Sequence, residues 1–466
     1  MSIFRRKKQV HELTQAVANN RDASIAVSDK INYKNKTYTT TDLNLSQSLV
    51  EFRYQAFERL ISQMDLNAAS KVSPEDLKRE VEEFIEHFTE ESQVQINFRE
   101  QQHIAQEIVN DMIGLGPLEP LLKDPAITDV MVNAPDSVYI ERMGKLEKTD
   151  VKFQNNKHIF QIAQRIANQV GRRIDESSPM VDARLKDGSR VNVIIPPIAL
   201  DSPSVSIRRF SKKTIGFDQM VKQKNISQNM LELLKIAAKS RLNILVSGGT
   251  GAGKTTLLNA LSQLIDKRER ILTVEDSAEL KLGQPHVIRL ESRPPNIEGQ
   301  GEVTIRDLVK NALRMRPDRI VVGECRSAET FDMLQAMNTG HDGSMSTLHA
   351  NSSREALNRL ENMILMSGHE LPNAVIKSYI ADAIDLIVHV ARMRDGVRRI
   401  TEISDIIDFQ DGVIRNKLLF EFKYQGEDED GQIHGEFQCV NDSPSFSHKI
   451  DFFNLSSELN KALSKQ

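Results

Sequence analysis

Asn243-Ile244-Leu245-Val246-Ser247-Gly248-Gly249-Thr250-Gly251-Ala252-Gly253-Lys254-Thr255-Thr256 decides the reading of this chain. A short apolar run enters a turn of small residues. The turn opens onto Leu257, Leu258, Leu261, Leu264 and Ile265, which fall on one face of a helix. Gly248 to Thr255 fits G-x-x-x-x-G-K-[ST] with no residue out of place, between a strand and a helix. Small residues let successive backbone N–H groups converge on phosphate oxygens at a helix N-terminus whose dipole favours anions. Gly248, Gly249, Thr250, Gly251, Ala252, Gly253, Lys254, Thr255 and Thr256 are therefore expected to cradle a nucleoside triphosphate. Lys254 places a cation on the β and γ phosphates, and the Thr255 hydroxyl serves Mg²⁺. The cofactors expected are ATP and Mg²⁺, and the chemistry is hydrolysis.

Around this loop, strand and helix signals alternate. Ile271–Val274, Arg319–Val322 and Ser344–Leu348 are short and apolar enough for buried parallel strands. That alternation implies an open α/β sheet with its site at the carboxyl ends of the strands. Three further groups fall at such ends. P-loop enzymes usually finish one strand with an aspartate that holds Mg²⁺ through water, but here Val322 is followed by Gly323-Glu324. Glu324 is left to polarise the attacking water as general base. Metal support must come from elsewhere, and Glu275-Asp276, ending the neighbouring strand, is the best supplier. Gly340 to Asn351 brackets a strand with His341 and His349, either of which can sense the γ-phosphate by hydrogen bonding. Zinc is not expected, because no Cys or His set shows ligand spacing.

Upstream the texture differs. Residues 1–40 are polar and are expected to form a loosely ordered tail. From 41 to 113 apolar residues recur at helical spacing, with Ser73-Pro74 as cap and first-turn proline, so a small helical module is expected. Residues 114–210 carry strand-like runs, Asp129–Asn133, Val138–Ile140 and Val191–Ile195, around a helix at Ile159–Val170. They predict an α/β N-terminal domain, followed by a linker over 211–235. The ATPase domain with a C-terminal extension then occupies 236–466, where Arg394-Asp395-Gly396 turns a hairpin.

Composition narrows the class. The 466 residues exceed one core, and 61 Lys plus Arg against 65 Asp plus Glu give a net charge of -4. A dedicated nucleic-acid binder is more often strongly basic, and neither a basic, aromatic-interleaved path nor a single Trp is present. No Asn-Lys-x-Asp motif reads guanine, and no Leu-Ser-Gly-Gly-Gln signature marks a transporter subunit. Two cysteines, Cys325 and Cys439, suit a reducing cytosol. No apolar run approaches the roughly 18 to 20 residues that span a bilayer. The chain is expected to be soluble and intracellular, with any membrane role supplied by a partner.

Four elements together resemble the type II/type IV secretion ATPase superfamily: the loop Gly248–Thr256, the acidic pair Glu275-Asp276, the run Val322-Gly-Glu-Cys-Arg326, and the box around His341 and His349. The likeness covers about residues 110 to 450. Within that superfamily Gly114–Leu121, Ile127–Asn133, Asp182–Val191 and the tail from Asp428 to Phe446 resemble the CpaF-type ATPases of the tight-adherence (Flp) pilus. The resemblance implies a RecA-like C-terminal domain and a homohexameric ring with ATP between the two domains. It also implies arginines of the N-terminal domain that reach the phosphates, within the subunit or across the interface. The matching positions are Arg184, Arg190, and Arg208 or Arg209. Integral inner-membrane platform proteins are the implied partners, and pilus assembly the implied work. A type IV secretion traffic ATPase and a retraction motor are the alternatives.

Overall fold

The computed structural model describes residues 47–63, 73–142, 144–185, 187–209, 215–295, 299–368 and 370–464. The loose tail expected for residues 1–40 lies outside them. Two compact units divide between Arg209 and Phe210.

The first unit begins with three helices, α1 (Gln47–Gln63), α2 (Pro74–Ser92) and α3 (Phe98–Ile113). Ser73 caps α2, its hydroxyl accepting the Asp76 N–H at 3.1 Å with proline next in line, as its sequence predicts. Asn97 and Glu100 form a reciprocal capping box on α3. Phe52, Leu60, Leu77, Val81, Ile85, Ile104 and Ile108 make one apolar core among the three. A short helix, α4 (Glu119–Lys123), leads into an all-antiparallel sheet of six strands. These are β1 (Ile127–Ala134), β2 (Ser137–Arg142), β3 (Lys145–Lys148), β4 (Met180–Arg184), β5 (Arg190–Ile194) and β6 (Ser204–Arg208). Their spatial order is β3-β2-β1-β6-β5-β4. Helix α5 (Asn156–Gln169) covers one face, where Ile159, Ile162 and Ile166 meet Val130, Val191 and Ile207. Strand residues therefore alternate in and out, and the other face is free to carry polar groups. Asp111 near the end of α3 is buried; it is bonded by Arg53 of α1 and lies 3.5 Å from His158 of α5. That carboxylate links α1 and α3 and brings them against α5, the helix that covers the sheet.

The second unit starts with α6 (Phe217–Lys222) and α7 (Gln228–Lys239). Helix α6 falls within the expected linker, 211–235, and α7 begins in it. Phe217, Met220, Ile226 and Met230 are buried in the unit's main core, so the stretch from 217 onward is packed structure rather than a tether. Its lysines and glycine mask an apolar face that only tertiary packing makes visible.

A nine-stranded sheet follows: β7 (Ile244–Gly248), β8 (Ile271–Glu275), β9 (Val287–Glu291), β10 (Arg319–Val322), β11 (Met345–His349), β12 (Leu386–Arg392), β13 (Arg398–Gln410), β14 (Val413–Glu427) and β15 (Ile433–Cys439). The order is β15-β14-β13-β12-β7-β11-β10-β8-β9. The strands from β12 to β9 are parallel, and β13, β14 and β15 add on antiparallel. This is a RecA-like α/β sheet with an antiparallel extension. Helix α8 (Lys254–Ser262) lies with α6 and α7 on one face. Helices α9 (Ile305–Ala312), α10 (Glu329–Asn338), α11 (Ser353–Met366) and α12 (Asn373–Ala383) cover the other. Covering both faces is why β7, β8 and β10 are buried at every position and read as unbroken apolar runs. The short helices α13 (Ser447–Asp451) and α14 (Ser456–Leu463) return to the first face, where Ile450, Leu459 and Leu463 join its core. At the amino ends of the strands, buried Arg319 grips Glu269 with two bonds of 2.5 and 2.9 Å, which fixes the base of the sheet. No helix among the described residues is long and apolar enough to cross a membrane.

Candidate active site

The chain leaves β7, crosses to β8 and β9, then returns through β10 and β11 to the strands beside β7. The carboxyl ends of β7, β11, β10 and β8 therefore lie side by side at the point where the winding reverses, the usual ligand crevice of such sheets. Each of the four ends contributes a group.

From β7 comes the phosphate loop. A Cβ on Gly248 would stand 2.3 Å from the Val390 carbonyl oxygen, so only glycine lets β7 run that close to β12. Gly253, the residue before α8, has φ +102°, a conformation that side chains resist. Lys254 is buried, its ammonium donating to the carbonyls of Gly248 and Gly249 at 3.0 Å each. Thr255 and Thr256 are half-buried in the first turn of α8, beside the helix's unpaired amides.

From β11 comes His349, which faces Gly248 directly across the β11–β7 ladder. Its Nδ1 lies 3.2 Å from the Lys254 ammonium, and its Nε2 lies 3.0 Å from Glu324 Oε1. Burial, reinforced by Lys254, pushes the ring's pKa below the usual histidine value. A neutral ring with its proton on Nε2 accepts from Lys254 and offers that proton to Glu324. Lys254, His349 and Glu324 thus form one chain of contacts across three strand ends.

Glu324 follows β10. Its Oε2 takes a 2.7 Å bond from Arg326, and its buried Oε1 meets only His349, off the axis of a good hydrogen bond. One oxygen is held while the other is left with acceptor capacity, as a base awaiting water requires. Arg326, present in the quoted motif without a role, bridges Glu324 to Asp276, 3.5 Å away.

Glu275 ends β8 and is buried, whereas Asp276 is exposed and bonded by Ser292 at 2.8 Å. The two carboxylates that sequence left as a pair thus occupy different environments. Glu275 Oε2 accepts the N–H groups of Glu279 and Leu280 at 2.7 and 2.8 Å. Its Oε1 is buried without a partner, and burial pushes the carboxyl up to about 7. An orphaned buried carboxylate oxygen at a strand end on the same edge of the sheet as the phosphate loop fits a divalent cation, which would supply the missing charge.

Other expected residues separate. His341 lies before β11 starts, its Nδ1 3.3 Å from the Ala336 carbonyl near the end of α10. Strand β11 stands between it and His349, so of the two histidines only His349 lies against Lys254 and Glu324. Cys325 is buried against Met333 and Ser346, and burial pushes its thiol up to about 12, which makes it inert packing. Arg398 was missed by sequence reasoning. It donates from Nε to the Gly251 carbonyl at 2.9 Å, bracing the loop from β13. Its sequence signal is one arginine after a hairpin turn, which does not identify a neighbour some 150 residues away.

In the first unit Arg190 and Arg208 are directly opposed across β5 and β6, and Arg184 opposes Arg190 across β4 and β5. All three project on the face that α5 leaves uncovered. A shallow cavity of about 320 Å³ on this face is lined by Asp129, Asp182, Arg190, Asn192, Ser206 and Arg208. Asp182 is 3.2 Å from Arg190, and Asp129 opposes Arg208 across β1 and β6. Arg209 points away, donating to the backbone carbonyls of Asp124 and Ile127. Of the two adjacent arginines, Arg208 is therefore the one on the open face and Arg209 is structural.

Residues 111–411 match the family described as type II/IV secretion system protein. A putative conjugal transfer protein of Mycobacterium tuberculosis is 42% identical over 300 residues, which are 63% of this chain and 85% of that protein. The type IV secretion system protein VirB11 of Brucella abortus is 32% identical over 318 residues, 62% of this chain and 88% of that protein. The crystal structure of the VirB11 ATPase from the Brucella suis type IV secretion system, in complex with sulphate, is 31% identical. It covers 62% of this chain and 94% of its own, with a TM-score of 0.34.

Proposed function

This chain belongs to the type II/IV secretion system protein family and is an ATP hydrolase of that family; on that premise we propose that it is a homohexameric motor powering assembly of a type IV pilus of the tight-adherence (Flp) kind. The observation that carries the catalytic reading is the chain from Lys254 through His349 to Glu324 across adjacent strand ends.

In this reading the amides of Gly249 to Thr256 hold the triphosphate, and Lys254 neutralises charge on its β and γ groups. Glu324 takes a proton from the attacking water as its oxygen bonds to the γ-phosphorus, the bond to the β-phosphate oxygen breaks, and ADP and phosphate leave. His349 and Arg326 orient the Glu324 carboxylate. The groups that would hold Mg²⁺ are the Thr255 hydroxyl and Glu275, and the cation, when bound, neutralises charge on the β and γ oxygens. Arg190 and Arg208 meet the phosphates of a nucleotide bound by the same subunit or its neighbour. What supports that role is that Arg190 and Arg208 stand opposed on adjacent strands and line one cavity on the face that α5 leaves uncovered.

Partners follow from the family: a ring of like chains, and integral inner-membrane platform proteins that draw it to the cytoplasmic face of the membrane. The name of the Brucella relative favours a second reading, a type IV secretion traffic ATPase. Neighbouring genes for small prepilins and multi-span platform proteins would favour the pilus.

The test is phosphate release from Mg-ATP by the purified chain. Lys254→Ala should abolish binding or turnover, whereas Glu324→Gln should still bind ATP without hydrolysing it. Hydrolysis at the parental rate by Glu324→Gln would remove the general base from this reading. Sedimentation would show a hexamer or refute one.

A further inference from the structure

A row of polar side chains crosses the second unit's sheet among apolar neighbours. Ser247, the last residue before the phosphate loop, stands opposite His389 in the β7–β12 ladder. His389 in turn stands opposite Glu402 in the β12–β13 ladder. Ser247 and His389 are only 0% and 5% exposed, and Ser247 Oγ lies 2.8 Å from His389 Nδ1. Glu402 Oε2 accepts the Ser353 N–H at 3.0 Å and the Ser353 hydroxyl at 2.5 Å. The Ser404 hydroxyl donates to Ser353 Oγ at 2.9 Å.

Ser353 opens α11, just after His349 in the chain. The segment His349–Ser353 is thus fastened at both ends. One end meets Lys254 and Glu324 through His349, and the other bonds Glu402, whose neighbour His389 bonds the residue that enters the loop. Polar groups buried in a sheet interior cost stability unless paired, so a purely structural role would be filled as well by Val or Leu. The charged groups acting on His389 are Glu402 of β13, Glu355 of α11 and Lys254 of α8. Burial keeps the ring neutral at pH 7, with Nδ1 free to accept the Ser247 hydroxyl.

We propose that His389 is a positioning residue that couples the phosphate loop to the amino end of α11, so that the loop and the segment His349–Ser353 respond to the γ-phosphate as one unit. This rests on the ATPase reading above. The row carries no substrate contact of its own, so its effect falls on how well His349 and Glu324 are placed at the moment of reaction.

The experiment compares steady-state phosphate release by the full wild-type chain with His389→Leu, His389→Gln, Ser353→Ala and the double variant His389→Leu/Ser353→Ala. His389→Leu should lower kcat about tenfold with KM within about twofold, because Lys254 and the loop amides are untouched. His389→Gln should regain most of the rate, since its amide can still pair with Ser247. Ser353→Ala should also lower kcat, and the double variant should be no slower than the slower single one, as expected for members of one coupled path. An unchanged kcat in His389→Leu, a loss confined to KM, or multiplicative losses in the double variant would overturn the proposal. Should His389→Leu fail to fold, an unchanged kcat in Ser353→Ala overturns it by itself. A wild-type chain that releases no phosphate would instead sink the ATPase reading, a result distinct from all of these.

Discussion

Gly323 and Glu275 compete for one space. A Cβ on Gly323 would lie 3.0 Å from Glu275 Cγ and 3.7 Å from its Oε2. A side chain at the β10 strand end, where P-loop enzymes usually place an aspartate, would thus have to push aside the glutamate of the adjacent strand.

Gly323→Asp should therefore impair the enzyme. The new side chain displaces Glu275, and kcat should fall at least about tenfold. Gly323→Ala should cost about 1–3 kcal/mol of stability through overpacking, read as a lower thermal midpoint. Parental turnover by Gly323→Asp would show that the Glu275 position is dispensable.

Glu275 predicts a pH dependence of stability. Burial raises its carboxyl from 4.5 to about 7, so the folded chain holds this proton more tightly than the unfolded chain. The contribution is fully present below 4.5 and is lost as pH rises through about 7, a change on the order of 3 kcal/mol. Glu275→Gln cannot ionise and should melt higher than wild type at pH 8 but not at pH 4.5. Added Mg-nucleotide should shrink the gap by favouring the carboxylate. An equal difference in melting temperature at both pH values would contradict the buried proton.

His349 predicts a pH dependence of rate. In the neutral ring Nδ1 accepts from Lys254; a second proton would turn that atom into a donor facing an ammonium. Turnover should fall on the acid side of the usual histidine range, and His349→Gln should show a shallower acid limb. His349→Ala should lose roughly ten- to a hundredfold in kcat with a smaller change in KM. A pH–rate profile of the two variants beside wild type decides this.

The adjacent arginines predict opposite phenotypes. Arg208→Ala and Arg190→Ala should lower kcat by about 10²- to 10³-fold while leaving the melting temperature near that of wild type. Arg209→Ala should leave kcat near wild type but lower the melting temperature, because the Asp124 and Ile127 carbonyls lose their donor. A kcat loss confined to Arg209→Ala would exchange the two roles.

Much was legible in one dimension because it is local. Gly248–Thr256 is a backbone conformation written in small residues, and strands buried on both faces announce themselves as apolar runs wherever they pair. The placement of Ser73, Pro74 and the first helical turn of α2 is equally local. The six-residue spacing from Gly248 to Lys254 needs no distant neighbour to be read.

What needed the tertiary structure was every choice between residues that look alike in the sequence. Glu275 and Asp276 are adjacent carboxylates, yet one is buried beside Gly323 and the other exposed. Arg208 and Arg209 differ by one strand position, which turns one to the open face and the other to backbone carbonyls. His341 and His349 precede and end the same strand, so one is far from the site that the other completes. Sequence alone determined that a phosphate cradle sits on a parallel sheet, because amide geometry and burial pattern are encoded along the chain. Only the fold decided which charged groups surround it, because their environment depends on strand order, and that order brings together residues 100 or more positions apart.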